Sequence, residues 1–183
     1  MPDIIRSEVL GFCMGVKRAV DMAEEALLEH EGKKIFMLGP LIHNEQALQA
    51  LYDKGLKLLT EDAIEKSCDA NAIVIIRAHG TTPTILERIN KTGALVIDTT
   101  CPKVKASQKR AEKYSLQGAM VFIAGDLGHG EVTSISSYAN EKAIVIKDRT
   151  EALSFLESQE FLANSKKFDT AILISQTTIR KEE

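Results

Sequence analysis

The chain has 183 residues, 44% of them apolar and 27% charged, with a net charge of −3. These proportions suit one large or two small packed domains and exclude a disordered or collagen-like chain. The slight negative charge gives no reason to expect nucleic acid as a partner, no apolar run approaches bilayer-spanning length, and MPDIIRSEVLG lacks a secretory apolar region, so the expected location is the cytoplasm, with no membrane partner.

In chain order, β-rich runs alternate with helical ones. A first strand is expected at 3–9. The stretch GFCMGVKRAV then opens a helix over 14–29, because Val16, Ala19, Val20, Ala23, Ala26 and Leu27 recur at helical spacing. Cys13 stands at the inward-facing start of that helix, between Gly11 and Gly15, which permit close backbone approach. The positive end of a helix favours the thiolate, the form that attacks or binds metal. His30 ends this helix at a capping position beside solvent. Further strands are expected at 34–38, 56–59, 72–76, 94–97, 119–124, 143–146 and 170–174. Helices are expected at 44–54, 61–66, 83–91, 103–117, 131–139, 150–156 and 158–163. Pro83 after Thr82 and Pro102 after Cys101 each place proline at a first helical position. Such alternation predicts an α/β fold with parallel sheets flanked by helices.

A repeat organises these elements. IFMLGPLIHNE (35–45) aligns with VFIAGDLGHGE (121–131), setting Gly39 over Gly125, Leu41 over Leu127, His43 over His129 and Glu45 over Glu131. Upstream, CMGVKRAVDMAEEA (13–26) aligns with CPKVKASQKRAEKY (101–114), setting Cys13 over Cys101 and Val16 over Val104. Downstream, IVIIRAH (73–79) resembles AILISQT (171–177), which brings Thr177 over His79. The predicted organisation is therefore an N-terminal strand in 1–12, a first α/β domain in 13–100 and a second in 101–183, related by pseudo-symmetry around a central site.

In open parallel sheets, ligands bind beyond the carboxyl ends of the strands. His43, His79, His129 and Thr177 follow strand ends, and both Cys13 and Cys101 begin helices on the same edge. Each unit offers one cysteine and no Cys-x-x-Cys pair, which argues against a zinc ribbon or a thioredoxin-type motif. Cys68 precedes its strand, lies at the opposite edge and reads as structural. Imidazoles beside helix N-termini suit phosphate or diphosphate, and Glu131 is placed to carry a proton. Thiolates from separate segments suit a soft metal centre, but two cysteines are too few for a closed cluster. A third unit would supply a third cysteine, and SQTTIRKEE reads as a chain cut short.

GFCMGV ahead of a long helix, LIHN, RAHG, DTTCPKV, GHGEV and SQTT occur in this order across the chain. Together they resemble the N-terminal two-thirds of the LytB family of 4-hydroxy-3-methylbut-2-enyl diphosphate reductases. The resemblance implies three pseudo-symmetric α/β domains around a 4Fe–4S cluster, with the third domain absent here and strand 3–9 belonging with it. It implies an iron–sulfur oxidoreductase of the non-mevalonate isoprenoid pathway that yields isopentenyl and dimethylallyl diphosphates. Cys13 and Cys101 would be cluster ligands, with the third cysteine ligand outside this sequence. His43, His79 and His129 would bind the diphosphate, Glu131 would deliver protons, and Thr177 would contact substrate. Reduced ferredoxin or flavodoxin would donate electrons. The sequence alone is expected to hold the cluster poorly and to be inactive by itself. Two other readings stand beside this one: a zinc-dependent hydrolase of a phosphorylated substrate, and a non-catalytic diphosphate-binding module.

Overall fold

The continuous apolar run Ala72–Ile76 has no polar face to turn outward, so it can only be a strand covered on both sides. The computed structural model describes residues 11–42, 44–140, 143–158, 161 and 169–179. The expected strand at 3–9, His43 and most of the expected helix 158–163 lie outside the described residues. The first unit consists of α1 (Met14–Glu29), β1 (Lys34–Leu38), α2 (Glu45–Asp53), β2 (Lys57–Leu59), α3 (Ile64–Ser67), β3 (Ala72–Ile76), α4 (Pro83–Lys91) and β4 (Leu95–Asp98). The expected helix at 61–66 splits into a 3₁₀ turn, Glu61–Ala63, and the short α3. The second unit consists of α5 (Pro102–Leu116), β5 (Met120–Ala124), α6 (Gly130–Ser137), β6 (Ala143–Ile146), α7 (Arg149–Leu156) and β7 (Ala171–Ser175). Pro83 and Pro102 occupy the first positions of their helices, where a missing N–H costs nothing.

Two parallel sheets result, ordered β2-β1-β3-β4 and β6-β5-β7. Thus β5, β6 and β7 repeat the pairing of β1, β2 and β3, with Ile35 opposite Ile73 in one sheet and Val121 opposite Ile172 in the other. The period of two divides the first sheet's core. Ile35, Met37, Ile73 and Ile75 pack with Ala19, Ala23 and Leu51 on one face. Phe36, Leu38, Val74 and Ile76 pack with Ile64, Ile85 and Ile89 on the other. Each of the larger side chains among these, the Ile, Leu, Val, Met and Phe residues, contributes about 1.5–3 kcal/mol by leaving water. No helix among the described residues is long and apolar enough to cross a membrane.

The two units meet along the segment between β4 and α5. Thr99 donates its hydroxyl to the carbonyl of Ile76, and the Cys101 amide donates to Ala78 at 2.9 Å. Arg18 of α1 reaches the Thr100 carbonyl at 3.3 Å. Gly80, at φ +78°, lies so close to α5 and α6 that a Cβ there would stand 2.5 Å from Gln108 Nε2 and 2.7 Å from Ser134 Oγ. Gln108 donates to Ser134 at 2.6 Å, and Ser134 donates to the Thr81 carbonyl at 3.1 Å, all buried. This polar seam joins the loop after β3 to the helices of the second unit.

Candidate active site

Cysteine makes a poor N-cap because sulfur accepts weakly, yet both helices that open the units begin on one. Cys13, with extended backbone, caps α1 and Cys101 caps α5, neither making a side-chain capping bond. The two helix starts abut. A Cβ on Gly15, in the first turn of α1, would stand 2.7 Å from Cys101 Sγ and 3.1 Å from Cys101 Cβ. Only glycine lets that sulfur lie against the first turn of α1. Cys101 is half-buried, whereas Cys13 is exposed rather than turned inward as its position in the helical pattern suggested.

Cys68 ends α3 and is buried. Burial, with help from Asp69 and Glu65, pushes its thiol above the ordinary range against the opposing effect of Lys34. Raised and buried, it is an inert packing residue, in keeping with its position at the amino edge of β3.

His79 follows β3 and His129 caps α6, and their rings meet edge to face with centroids 5.3 Å apart. Imidazoles from both units thus come to one place from non-equivalent positions, since the repeat sets His129 over His43 and His79 over Thr177. His129 Nδ1 accepts from the Glu131 amide at 3.3 Å, which turns its other nitrogen, Nε2, away from the helix end and frees it to donate. Glu131 is only 1% exposed. Its two carboxyl oxygens accept from Thr177, one from the amide and one from the hydroxyl, each at 2.8 Å. The carboxyl is thereby fixed at both oxygens by hydrogen bonds from one residue, with no ion pair to it among the described residues. His43 lies outside the described residues; Asn44 beside it caps α2, its side chain accepting from Ala47 at 2.9 Å.

Beside His129 opens a polar cavity of about 480 Å³ whose wall includes Asp126, Lys147, Gln176 and Thr178. Gln176 escaped the sequence reading although it stands in SQTT. Its Oε1 accepts from the Asp126 amide at 3.0 Å and its Nε2 donates to Thr178 at 2.8 Å, so it pins the loop after β5 to the end of β7. Gly125 is the fitting residue there, since a Cβ would stand 2.7 Å from Gln176 Oε1. Arg77 was also passed over; its guanidinium crosses from the first unit to the second, 3.3 Å from where a Cβ on Gly39 would stand and 2.8 Å from one on Gly130. A cation ending an unbroken apolar strand was the available signal. Among the described residues, no three His, Cys, Asp or Glu side chains gather closely enough to hold a metal ion.

The LytB protein family model matches residues 4–183. The 4-hydroxy-3-methylbut-2-enyl diphosphate reductase of Treponema denticola is 40% identical over 181 residues, which is 97% of this chain and 61% of that protein. The enzyme of the same name from Aquifex aeolicus is 38% identical over 186 residues, 100% of this chain and 59% of that one. This chain therefore spans about three-fifths of the length of these curated relatives. A solved structure of (E)-4-hydroxy-3-methyl-but-2-enyl diphosphate reductase, the terminal enzyme of the non-mevalonate pathway, superposes with a TM-score of 0.73 at 33% identity, covering 96% of this chain and 68% of that one. The reductase from Plasmodium falciparum, at 24% identity and a TM-score of 0.80, covers 93% of this chain and 50% of that one and speaks to the fold. With its paired Cys-led helices and parallel sheets, this chain belongs to the LytB family.

Proposed function

We propose that this chain forms the thiol-bearing and diphosphate-holding part of a 4-hydroxy-3-methylbut-2-enyl diphosphate reductase. The reaction removes the substrate's hydroxyl with two electrons and protons and gives isopentenyl and dimethylallyl diphosphates. The names of the relatives support this reaction over zinc-dependent hydrolysis or passive binding. The observation that carries the reading is Glu131, a buried carboxyl held at both oxygens by Thr177 and adjoining the His79–His129 pair.

The division of labour follows from the chemistry of each group. His79, His129 and His43 donate hydrogen bonds to the diphosphate oxygens, and the half-buried settings of His79 and His129 strengthen theirs relative to water. Thr177 keeps the Glu131 carboxyl aimed in one direction, and Glu131 delivers a proton to the departing hydroxyl oxygen. Cys13 and Cys101 would hold iron of a 4Fe–4S cluster. The donor set fits part of that group: soft sulfurs, one of them lying in a space that a Cβ at Gly15 would fill. Two sulfurs leave the cluster open, so further ligation comes from beyond the described residues. When bound, the cluster supplies electrons and Lewis acidity. Residues 13–100 and 101–183 would act as two halves of the site. The protein would work in the cytoplasm with reduced ferredoxin or flavodoxin as donor.

The test is turnover of the full chain, reconstituted anaerobically with iron and sulfide and joined to whatever sequence completes it. Glu131→Gln should lower kcat by about 10²–10⁴-fold with little change in KM, whereas His129→Asn should act mainly on KM. Unchanged kcat in Glu131→Gln would remove the assigned proton carrier.

A further inference from the structure

We propose that Arg77 is a further binding residue of this site, giving a cationic contact to the diphosphate end of the substrate; this rests on the function proposed above. Arg77 follows β3 and is half-buried. Its guanidinium lies between two glycines from different units: a Cβ on Gly39 would be 3.3 Å from Nη1, and one on Gly130 would be 2.8 Å from Nη2 and 3.1 Å from Cζ. Gly130 stands between His129 and Glu131, so the cation adjoins the groups already placed in the site.

Among the described residues this side chain makes no hydrogen bond and no ion pair. Arginine carries five donors in a planar fork, and a half-buried guanidinium without a partner keeps part of its desolvation cost uncompensated. Its position adds to that cost. It lies at the first residue of α6, an eight-residue helix, where the macrodipole favours anions and opposes cations. Glu61 shares a small cavity with Arg77 but forms no ion pair with it. The other arginine in that region of the first unit, Arg88, is by contrast satisfied by Glu65 at 2.6 Å and by the Glu61 carbonyl at 2.7 Å.

An anion seated against both Arg77 and the start of α6 relieves both conflicts at once, because each presents positive potential to it. The imidazoles offer hydrogen bonds, whereas only Arg77 among these groups carries a permanent charge. A planar fork is also the geometry that grips two oxygens of one phosphate. The two glycines are the complement of this arrangement, since any side chain at Gly130 would displace the guanidinium.

Inorganic diphosphate is the probe, titrated calorimetrically into the full chain. Arg77→Met should weaken binding on the order of tenfold or more and flatten its salt dependence, with Arg77→Lys recovering part of the loss. Gly130→Ala, which keeps the charge but pushes it aside, should weaken binding similarly and add little in the Arg77→Met background. That pair of variants keeps the test open if one folds poorly, which thermal unfolding would reveal. Diphosphate binding by Arg77→Met as tight as by the unaltered chain would overturn the proposal while leaving the site reading intact. No diphosphate binding by the unaltered chain, with His129→Asn indistinguishable from it, would overturn both.

Discussion

The two sheets share a strand order but not a degree of burial. In the first, every residue of β3 is buried, and α2, α3 and α4 all contribute to the core. In the second, β6 is half-buried throughout, β7 buries only Ile174, and α7 buries nothing. The repeat positions diverge accordingly: Leu41 packs at 0% exposure among Leu48, Leu51 and Leu56, while its counterpart Leu127 is 86% exposed. Chemistry-bearing residues follow the opposite rule. Cys13 matches Cys101 as a helix cap, and the histidines after strand ends meet across the junction. The cysteine caps are thus the same in both units, while the packing around the two sheets differs.

This contrast can be broken most forcefully in the cores. Ile75→Ala, at a fully buried position of β3, should cost about 2–5 kcal/mol of stability. Leu173→Ala, at 70% exposure on β7, should cost no more than about 0.5 kcal/mol in the same denaturant titration. Equal losses would mean that the second sheet is covered as fully as the first. The junction comes next. Gly80→Ala combines a left-handed backbone with collision against Gln108 and Ser134, and should cost about 2–4 kcal/mol. Gly118, at φ +84° with nothing within 4 Å, should lose only about 1–2 kcal/mol on the same change. Thr177→Val removes one of the two bonds to Glu131 and should cost about 1–2 kcal/mol, read by thermal unfolding.

The smallest expected effect is that of acid. Glu65 is held by Arg88 and has its carboxyl lowered from 4.5 to about 2. Burial pushes the Asp98 carboxyl up, but Lys105 at 2.6 Å and Thr100 outweigh it and hold it below 3.8. Both folded values lie below the unfolded ones, so this stabilisation is present above about pH 4.5 and is lost as pH falls toward 2. Glu65→Gln with Asp98→Asn should flatten the stability curve in that window by lowering stability at neutral pH, only slightly for the exposed Glu65, while leaving stability near pH 2 almost unchanged.

Much of this arrangement was legible in the chain. Strand and helix positions follow from periodicity and proline placement, and the spacing of Gly and His discloses the repeat. The family resemblance and the fold expected from it agree with the LytB match and the parallel sheets. What escaped were contacts between segments distant in sequence. The sequence marks Gly15 as permitting close backbone approach beside Cys13, but only the meeting of α1 and α5 identifies Cys101 as what approaches it. No pattern in the sequence marks Gln108 or Ser134, yet Gln108 donates to Ser134 and Ser134 to the Thr81 carbonyl. Periodicity reports which face of an element turns inward, and it carries no information about which other element waits there.

The central claim is that the two Cys-led helices deliver their sulfurs to one shared site. Cadmium titration of the Cys68→Ser chain, followed by sulfur-to-metal charge-transfer absorbance, tests it directly. A single ion bound by two thiolates, with affinity lost in either Cys13→Ser or Cys101→Ser, is the predicted result. Two independent weak sites, each surviving loss of the other cysteine, would contradict it.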